Sequence, residues 1–297
     1  MAVDIPFVRE IDPAYGELKQ VSPLIRRVIC ENPGPFTFTG TGVYVLGQGD
    51  VAVIDPGPAG HEETLLRVLA GERVTHIFLT HGHIDHSPAA SPLARATGAK
   101  IYANPAPVRR PDHDIKAEAD DDENFRFDVA LKDGERIAGK GWTLEALFTP
   151  GHTSNHTTFA LLEENALFTG DHIMGWSTTV VSPPDGDMGD YFASLEKVRA
   201  RNFATLWPTH GPPVRDPAPF LAAYRAHREA REAQILEQIK AGRTRITEMV
   251  PVMYAAVDPR LHPAAAHSVL AHTIRMTRAG LLKTDGAPQI DSVYALA

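Results

Sequence analysis

Six consecutive positions, His81-Gly82-His83-Ile84-Asp85-His86, carry three histidines and an aspartate directly after the apolar stretch 75–79. In a strand, His81, His83 and Asp85 would share one face; in a loop, Gly82 lets the backbone turn so that all four side chains converge. Such groups do not gather for packing, because each buried polar atom needs a partner. Neutral imidazole and ionised carboxylate are ligands suited to a borderline-soft ion such as zinc. Three further segments bring one such group each beside Gly or Pro at the end of a strand-like run: His152 in Pro150-Gly151-His152-Thr153, Asp171 in Thr169-Gly170-Asp171-His172, and His210 in Pro208-Thr209-His210-Gly211.

The set is therefore His81, His83, Asp85, His86, His152, Asp171 and His210. A single structural zinc needs about four ligands, so this set suits two ions sharing a bridge. A carboxylate has two oxygens and can reach both ions, which makes Asp171 the expected bridge. Ions ~3.5–4 Å apart can polarise a substrate oxygen and lower the pKa of bound water to ~7, giving hydroxide at neutral pH. Two zinc ions are the expected cofactors, with manganese or iron open. Asp85 and Asp171, together with His172 as a candidate proton shuttle, are the expected catalytic residues.

Several residues stand close to this set in the sequence. Asp55, at the end of the β-rich run 51–55, is expected to orient a ligating histidine. His156 and His172 neighbour ligands and could touch substrate; Trp176, Thr178 and Thr179 are candidates for the mouth of the site. His76 lies in an apolar strand pattern and reads as a core histidine, and His267 and His272 are five apart, which does not make one helical metal face. Cys30, the single cysteine, cannot form an internal disulfide and reads as a small buried hydrophobe.

The elements that must position these groups follow from patterning. Runs 43–47 and 51–55 read as a hairpin, and 75–79, 100–103, 143–149, 157–162, 166–169 and 204–207 as further strands. Helices are expected over 62–70, from Ser87 to about 97, and over 191–200. The segment 104–125 is proline-rich and then acidic, and reads as a long surface loop or short helix at the site rim, its charge run a solvated face rather than a ligand cluster. Strands in both halves with helices between them suggest two packed sheets with helices outside. After Pro217 the character changes to helices at 220–241, 246–256 and 262–279, followed by 280–283 and 292–296, which could pair. That order resembles a winged helix and divides the chain into 1–217, catalytic, and 218–297, a winged-helix-like α+β module.

The sequence resembles the metallo-β-lactamase superfamily, whose HxHxDH signature is matched by His81, His83, Asp85 and His86. The likeness spans roughly 20–215 and takes in Asp55 in VIDPG, His152 in PGHT, Asp171 in TGDH and His210 in THG. It implies an αββα sandwich with the metals at the edge where the sheets open. It further implies that His81, His83 and His152 hold one ion, that Asp85, His86 and His210 hold the other, and that Asp171 lies between them. The stretch 32–42 with the C-terminal module resembles the branch containing lactamase-beta-like endoribonucleases. Gly82, where those relatives often carry a bulky aromatic, and His172, in place of a small residue or Cys, depart from that branch. They could widen or repurpose the pocket.

With 297 residues and 43% apolar content the chain can form a sizeable core. A net charge of −8 means that a phosphate-binding face needs a local basic patch. No run of 18 apolar residues exists and no signal segment is evident, so the expectation is a cytoplasmic protein without membrane association. The leading functional reading is a dinuclear hydrolase in which metal-bound hydroxide attacks an acyl or phosphoryl centre of a small ester, thioester, lactam or phosphodiester. The alternatives are a single-stranded endoribonuclease, a weak β-lactamase or thioesterase/lactonase, and a nucleic-acid-binding regulator. For the RNA reading the basic candidates are Arg225, Arg228, Arg231, Arg243, Arg245, Arg275, Arg278 and Lys283. The C-terminal module could also close the cleft or form a homodimer surface.

Overall fold

The computed structural model describes residues 4–108 and 121–297. The first sheet runs in chain order through β1 (Lys19–Gln20), β2 (Ile25–Ile29), β3 (Gly42–Leu46), β4 (Asp50–Ile54), β5 (Arg73–Phe78), β6 (Lys100–Ala103) and β7 (Val129–Ala130). The second holds β8 (Arg136–Gly139), β9 (Trp142–Phe148), β10 (Thr157–Leu161), β11 (Ala166–Gly170) and β12 (Thr205–Pro208), in the order β12-β11-β10-β9-β8. Strands β3, β10 and β11 are buried along their whole length, as strands covered on both faces must be.

Three apolar layers explain the stacking. Between the sheets, Tyr44, Ile54 and Phe78 of the first pack with Trp142, Phe159, Phe168 and Trp207 of the second. Outside the first sheet, α1 (His61–Val68) and α2 (Ala90–Thr97) contribute Leu65 and Leu93 to a layer with Val43, Val53 and Ile77. Outside the second, α3 (Met188–Arg199) packs Tyr191, Leu195 and Val198 against Leu147, Ala160 and Leu167. This is the αββα sandwich expected from the sequence.

The direction of the strands decides where the site falls. β4 and β5 are parallel, so residues 55 and 79–81 leave the first sheet at the same edge. β9 and β11 are both antiparallel to β10, and β12 is parallel to β11. All three therefore release their next residues, including His152, Asp171 and His210, at one rim. The rims of the two sheets are joined where Gly42 N–H donates to Thr209 O at 2.7 Å and Tyr44 Oη donates to Pro208 O at 2.6 Å.

The C-terminal part consists of α4 (Pro217–Lys240), α5 (Ile246–Met253), α6 (His262–Arg278) and the antiparallel pair β13 (Leu282–Lys283) and β14 (Ala295–Leu296). Pro217 opens α4, where its missing N–H has no intrahelical role. Ile235, Ile246, Met249, Val269 and Tyr294 form the module's own core. The first turns of α4 belong elsewhere, because Phe220, Leu221 and Tyr224 lie in the layer beneath the second sheet.

Two local expectations change. The helix expected to open at Ser87 begins at Ala90, because the Ser87 hydroxyl is used by Asp122 at 2.8 Å. α3 starts at Met188, not 191, because Asp187 Oδ1 accepts from the Gly189 and Asp190 N–H groups as an N-cap. No helix among the described residues is long and apolar enough to cross a membrane.

Candidate metal centre

All seven expected ligands are buried and meet at the shared rim. In the first group, His81 Nε2 lies 2.9 Å and His152 Nε2 3.3 Å from His83 Nδ1. The tautomers are fixed from outside. Thr80 Oγ1 donates to Asp55 Oδ2 and so accepts from His81 Nδ1, while His152 Nδ1 donates to Val180 O at 2.8 Å. His81 and His152 thereby present Nε2 as the lone-pair nitrogen, and His83 faces them with Nδ1. Burial, with the neighbouring histidines, pushes His83 down to about 3 and His81 well below the ordinary imidazole value. Neutral imidazoles with converging lone pairs repel one another unless a cation lies between them.

The second group is mixed in charge. His210 Nε2 is 3.1 Å from Asp85 Oδ2, and His86 Nε2 is 3.4 Å from the same oxygen. Burial opposes charge here, but Asp85, Asp171 and Asp55 raise His86 well above the ordinary value, and Asp171 and Asp85 raise His210 to about 9. Against burial, the same histidines hold Asp85 and Asp171 well below the carboxylate range. Without a metal, imidazolium protons compensate the carboxylates; a divalent cation supplies the same charge in their place.

Asp171 touches both groups: Oδ1 is 3.5 Å from His210 Nε2, and Oδ2 is 3.6 Å from His86 Nε2 and 3.8 Å from His152 Nε2. These separations approach the ~3.3–3.6 Å edge of a tetrahedron whose corners lie ~2.0–2.2 Å from a central zinc. His86 Nε2 and Asp171 Oδ1 are buried and have no hydrogen-bond partner among the described residues. Three sets of donor atoms each fall within 4.8 Å of one another: His81-His83-His152, His81-His86-Asp171 and Asp85-His86-His210. The residues thus fit two divalent ions by donor chemistry, spacing and orphaned polar atoms.

The surrounding groups are as specific as the ligands. Asp55 is fully buried and accepts from Thr80 N at 2.8 Å, Thr80 Oγ1 at 2.7 Å, Thr209 Oγ1 at 3.2 Å and His86 Nδ1 at 3.0 Å. Its φ of 48° is left-handed, a costly conformation for a side-chain-bearing residue that these bonds over-determine. His156 Nε2 accepts from Asp171 N–H at 3.2 Å, so Nδ1 carries the proton and donates to Thr149 Oγ1 at 3.0 Å. His156 is thus a positioning residue for Asp171. Gly151 is required for its backbone, since φ is 138° and a Cβ would lie 2.4 Å from Tyr191 Cα.

His172 packs behind the candidate ligands. It is fully buried, its ring lies 4.9 Å from that of Tyr191, neither ring nitrogen has a hydrogen-bond partner among the described residues, and burial with His152 and Arg228 pushes it to about 3. Its carbonyl accepts from Tyr191 Oη at 2.9 Å.

Gly82 packs against Phe125, and both line a cavity of about 220 Å³. The ring of Phe125 occupies the place a side chain would take, with Cδ2 3.3 Å from the position of a Cβ. The described end of the acidic stretch lies at the site rim: Asp122 N–H donates to Gly82 O at 2.7 Å and Asp121 bridges His83. Residues 109–120 of that loop lie outside the described residues. Of the eight basic residues offered for RNA, three are in ion pairs: Arg225 with Glu196 and Glu229, Arg275 with Glu232, and Arg278 with Asp187. Sequence reasoning missed Thr80, Phe125 and the role of His156; only the small residue at 82 beside three ligands hinted that something else fills that space.

Comparison with known proteins gives a consistent family. Residues 37–210 match the Metallo-beta-lactamase superfamily, and residues 246–289 match the Beta-lactamase associated winged helix domain. The chain is 31% identical over 243 residues to the Lactamase-like protein adaB of Aspergillus niger, covering 79% of this chain and 70% of that protein. It is 30% identical over 284 residues to the Atrochrysone carboxyl ACP thioesterase AgnL7 of Paecilomyces divaricatus, covering 89% and 82%. In structure it resembles a beta-lactamase domain protein from Burkholderia ambifaria, with a TM-score of 0.77 at 21% identity, covering 99% of this chain and 97% of that one.

Proposed function

The chain belongs to the metallo-beta-lactamase superfamily of hydrolases, and from that premise we propose that it is a dinuclear metal hydrolase of activated acyl substrates, a thioester first among them. The observation that carries the proposal is the pair of abutting donor groups that Asp171 touches from both sides. His81, His83 and His152 are proposed to hold one ion, Asp85, His86 and His210 the other, with Asp171 bridging. A donor set of histidine nitrogen and carboxylate oxygen without thiolate suits zinc, and suits manganese or iron as well. When bound, the ions supply a nucleophilic water at neutral pH and Lewis acidity toward the scissile carbonyl.

The chain's own residues do the rest. Asp55 orients His86 through Nδ1, and Thr80 orients His81. His156 and the Thr179 hydroxyl, which donates to Asp171 O at 2.8 Å, hold the bridging residue from either side of its backbone. Trp176, which lines the cavity that reaches Asp171, stacks on Phe38 at 4.8 Å and an interplanar angle of 15°. Burial of the candidate ligands strengthens each charge interaction among them. The thioester preference rests on the thioesterase relative, which matches most of both chains. The division into a catalytic unit, 1–217, and a winged-helix-like module, 218–297, is part of the same proposal.

A strand-binding nuclease needs a continuous basic groove, and the engaged arginines disfavour it. The test is metal analysis of anaerobically purified protein, with a screen of thioester, lactone, β-lactam, phosphodiester and single-stranded RNA substrates. Two ions per chain and thioester turnover abolished by chelation are expected. One ion per chain, or RNA as the sole substrate, would overturn the reading.

A further inference from the structure

Beyond Asp171, a cavity of about 230 Å³ runs from the metal rim to the C-terminal helices. Met174, Trp176, Val180, Tyr254, Val257 and Leu261 make its apolar walls. Arg228 and Arg231, one turn apart on α4, also line it. Arg228 is 2% exposed, its Nε has no hydrogen-bond partner, and Nη2 donates to Thr179 O at 2.5 Å. Its guanidinium sits 4.9 Å from the centre of the Tyr191 ring. Arg231 donates to Gln234 Oε1 and Met253 O and lies 4.3 Å from the Tyr254 ring centre. Among the described residues neither arginine forms an ion pair with a carboxylate.

Buried guanidinium groups are ordinarily paired, because desolvating a charge costs several kcal/mol. Here the compensation comes from ring faces and carbonyl oxygens alone. The excess positive charge is felt nearby: burial together with Arg228 and Arg231 pushes His227, another lining residue, down to about 3. A cavity with apolar walls and an uncompensated cationic side is a pocket for an anion carried on an apolar body. Its volume falls below the usual ~300–1,000 Å³ of drug-sized pockets, so the body is a small ring system or a short branched acyl chain.

We propose that this cavity receives the acyl part of the substrate, and that Arg228 and Arg231 bind an oxyanion, a carboxylate or a phenolate, carried on that part away from the scissile bond. The inference rests on the acyl-hydrolase reading and narrows it to anionic acyl substrates. It makes the C-terminal module a specificity element, since α4 brings both arginines and the α5–α6 region brings Tyr254, Val257 and Leu261.

The test uses full-length protein loaded with cobalt(II), and 1-naphthylacetate against 1-naphthylacetamide, which has nearly the same shape without the charge. Calorimetry gives the affinities, and the cobalt visible spectrum reports whether either probe touches the metals. The acid is expected to bind about tenfold or more tightly than the amide, the worth of one charge-assisted hydrogen bond, without changing the cobalt spectrum. Arg231→Gln is expected to reduce that preference about tenfold and Arg228→Lys to retain part of it. Equal binding of acid and amide, or acid binding that perturbs the cobalt spectrum and is indifferent to Arg231→Gln, overturns the proposal. The outcomes separate from those of the parent reading: thioester turnover with no preference for the acid rejects this pocket alone, whereas a preserved preference without any acyl turnover rejects the hydrolase reading.

Discussion

The Asp55 Oδ2 atom lies 3.0 Å from His86 Nδ1, and both side chains are fully buried. The same oxygen takes the hydroxyls of Thr80 and Thr209, which come from the ends of β5 and β12. One carboxylate therefore ties together the edges of both sheets and sets the direction of a proposed ligand. Asp55→Asn keeps the volume but removes the charge and half of the acceptor capacity. It is expected to weaken metal affinity by ~10–100-fold, with a larger effect on the ion held by His86. Competition with a chromophoric chelator reads this directly; an affinity equal to that of the parent chain would show that Asp55 is only a turn residue.

Metal uptake should release protons. His86 and His210 are held protonated, His210 up to about 9, by carboxylates that overcome the effect of burial. Ligation requires their neutral form, so apparent affinity rises with pH up to that value. Calorimetric titration in buffers of different ionisation enthalpy is expected to show protons passing to the buffer at pH 7. The metal-free chain has its own pH dependence. A histidine raised above its unfolded value stabilises fully below about 6.5, and that contribution disappears as pH rises through about 9. Chelator-treated protein is thus expected to unfold at lower denaturant concentration at pH 9 than at pH 6.5, and metal-loaded protein to show less of this loss.

Gly82 and Phe125 should behave as a pair. Replacing Gly82 with Phe drives a ring into the space held by Phe125, whose Cδ2 is 3.3 Å from the position of a Cβ. Overpacking of this kind costs ~1–3 kcal/mol. Adding Phe125→Ala to Gly82→Phe is expected to recover most of it, and a double-mutant cycle in urea measures the coupling. Additive effects would mean that the two rings do not compete.

These pairs explain what the sequence reveals and what it hides. His81, His83, Asp85 and His86 are legible because four metal-binding groups in six positions have no packing purpose, and His152, Asp171 and His210 because each follows a strand beside Gly or Pro. Hairpin β3–β4 is legible too, since Gly47 and Gly49 take the positive φ values of its turn. Phe125 against Gly82 is hidden, because 43 positions separate them and no local pattern links an aromatic residue to a missing side chain. The same holds for Arg228, which reads as one basic residue of a charged helix and proves 2% exposed. Charge in a sequence does not disclose its partners either: of the eight basic residues named for an RNA face, Glu196, Glu232 and Asp187 take up three.

The module's own stability should fall in acid. Glu232 on α4 bonds His272 Nδ1 at 3.2 Å and Arg275 Nη1 at 2.6 Å on α6. Burial alone would raise its pKa, but the hydrogen bonds and charges of His272 and Arg275 bring it below the usual 4.5. A lowered carboxyl contributes stability above about 4.5 and loses it as pH falls through the folded value. Glu232→Gln is expected to cost ~1.5–3 kcal/mol at pH 7 and to remove part of the decline between pH 5 and 3. Parallel acid profiles for the two proteins would exclude the contact as a source of stability.

The proposed division near residue 217 does not separate the cores of the two parts. Phe220, Leu221 and Tyr224 of α4 are buried under the second sheet. Tyr224 Oη accepts from Met174 N at 3.1 Å and lies 3.0 Å from Met174 O and 2.5 Å from Ser177 O, so its single proton serves one of two carbonyls. Arg228 holds Thr179 O, and the Thr179 hydroxyl reaches Asp171 O at 2.8 Å. The path from α4 to the proposed bridging carboxylate is therefore two side chains long. Removing 217–297 exposes that apolar layer and frees the segment after Asp171, so the shortened chain is expected to lose its metal and its cooperative unfolding together. Tyr224→Phe is the milder probe: it should lower stability by ~1–3 kcal/mol, by leaving buried backbone groups unsatisfied, while the full metal content is retained. A chain ending at residue 216 that unfolds cooperatively with two ions bound would mean that α4 is an appendage and that the contacts through Tyr224 and Arg228 carry no structural weight.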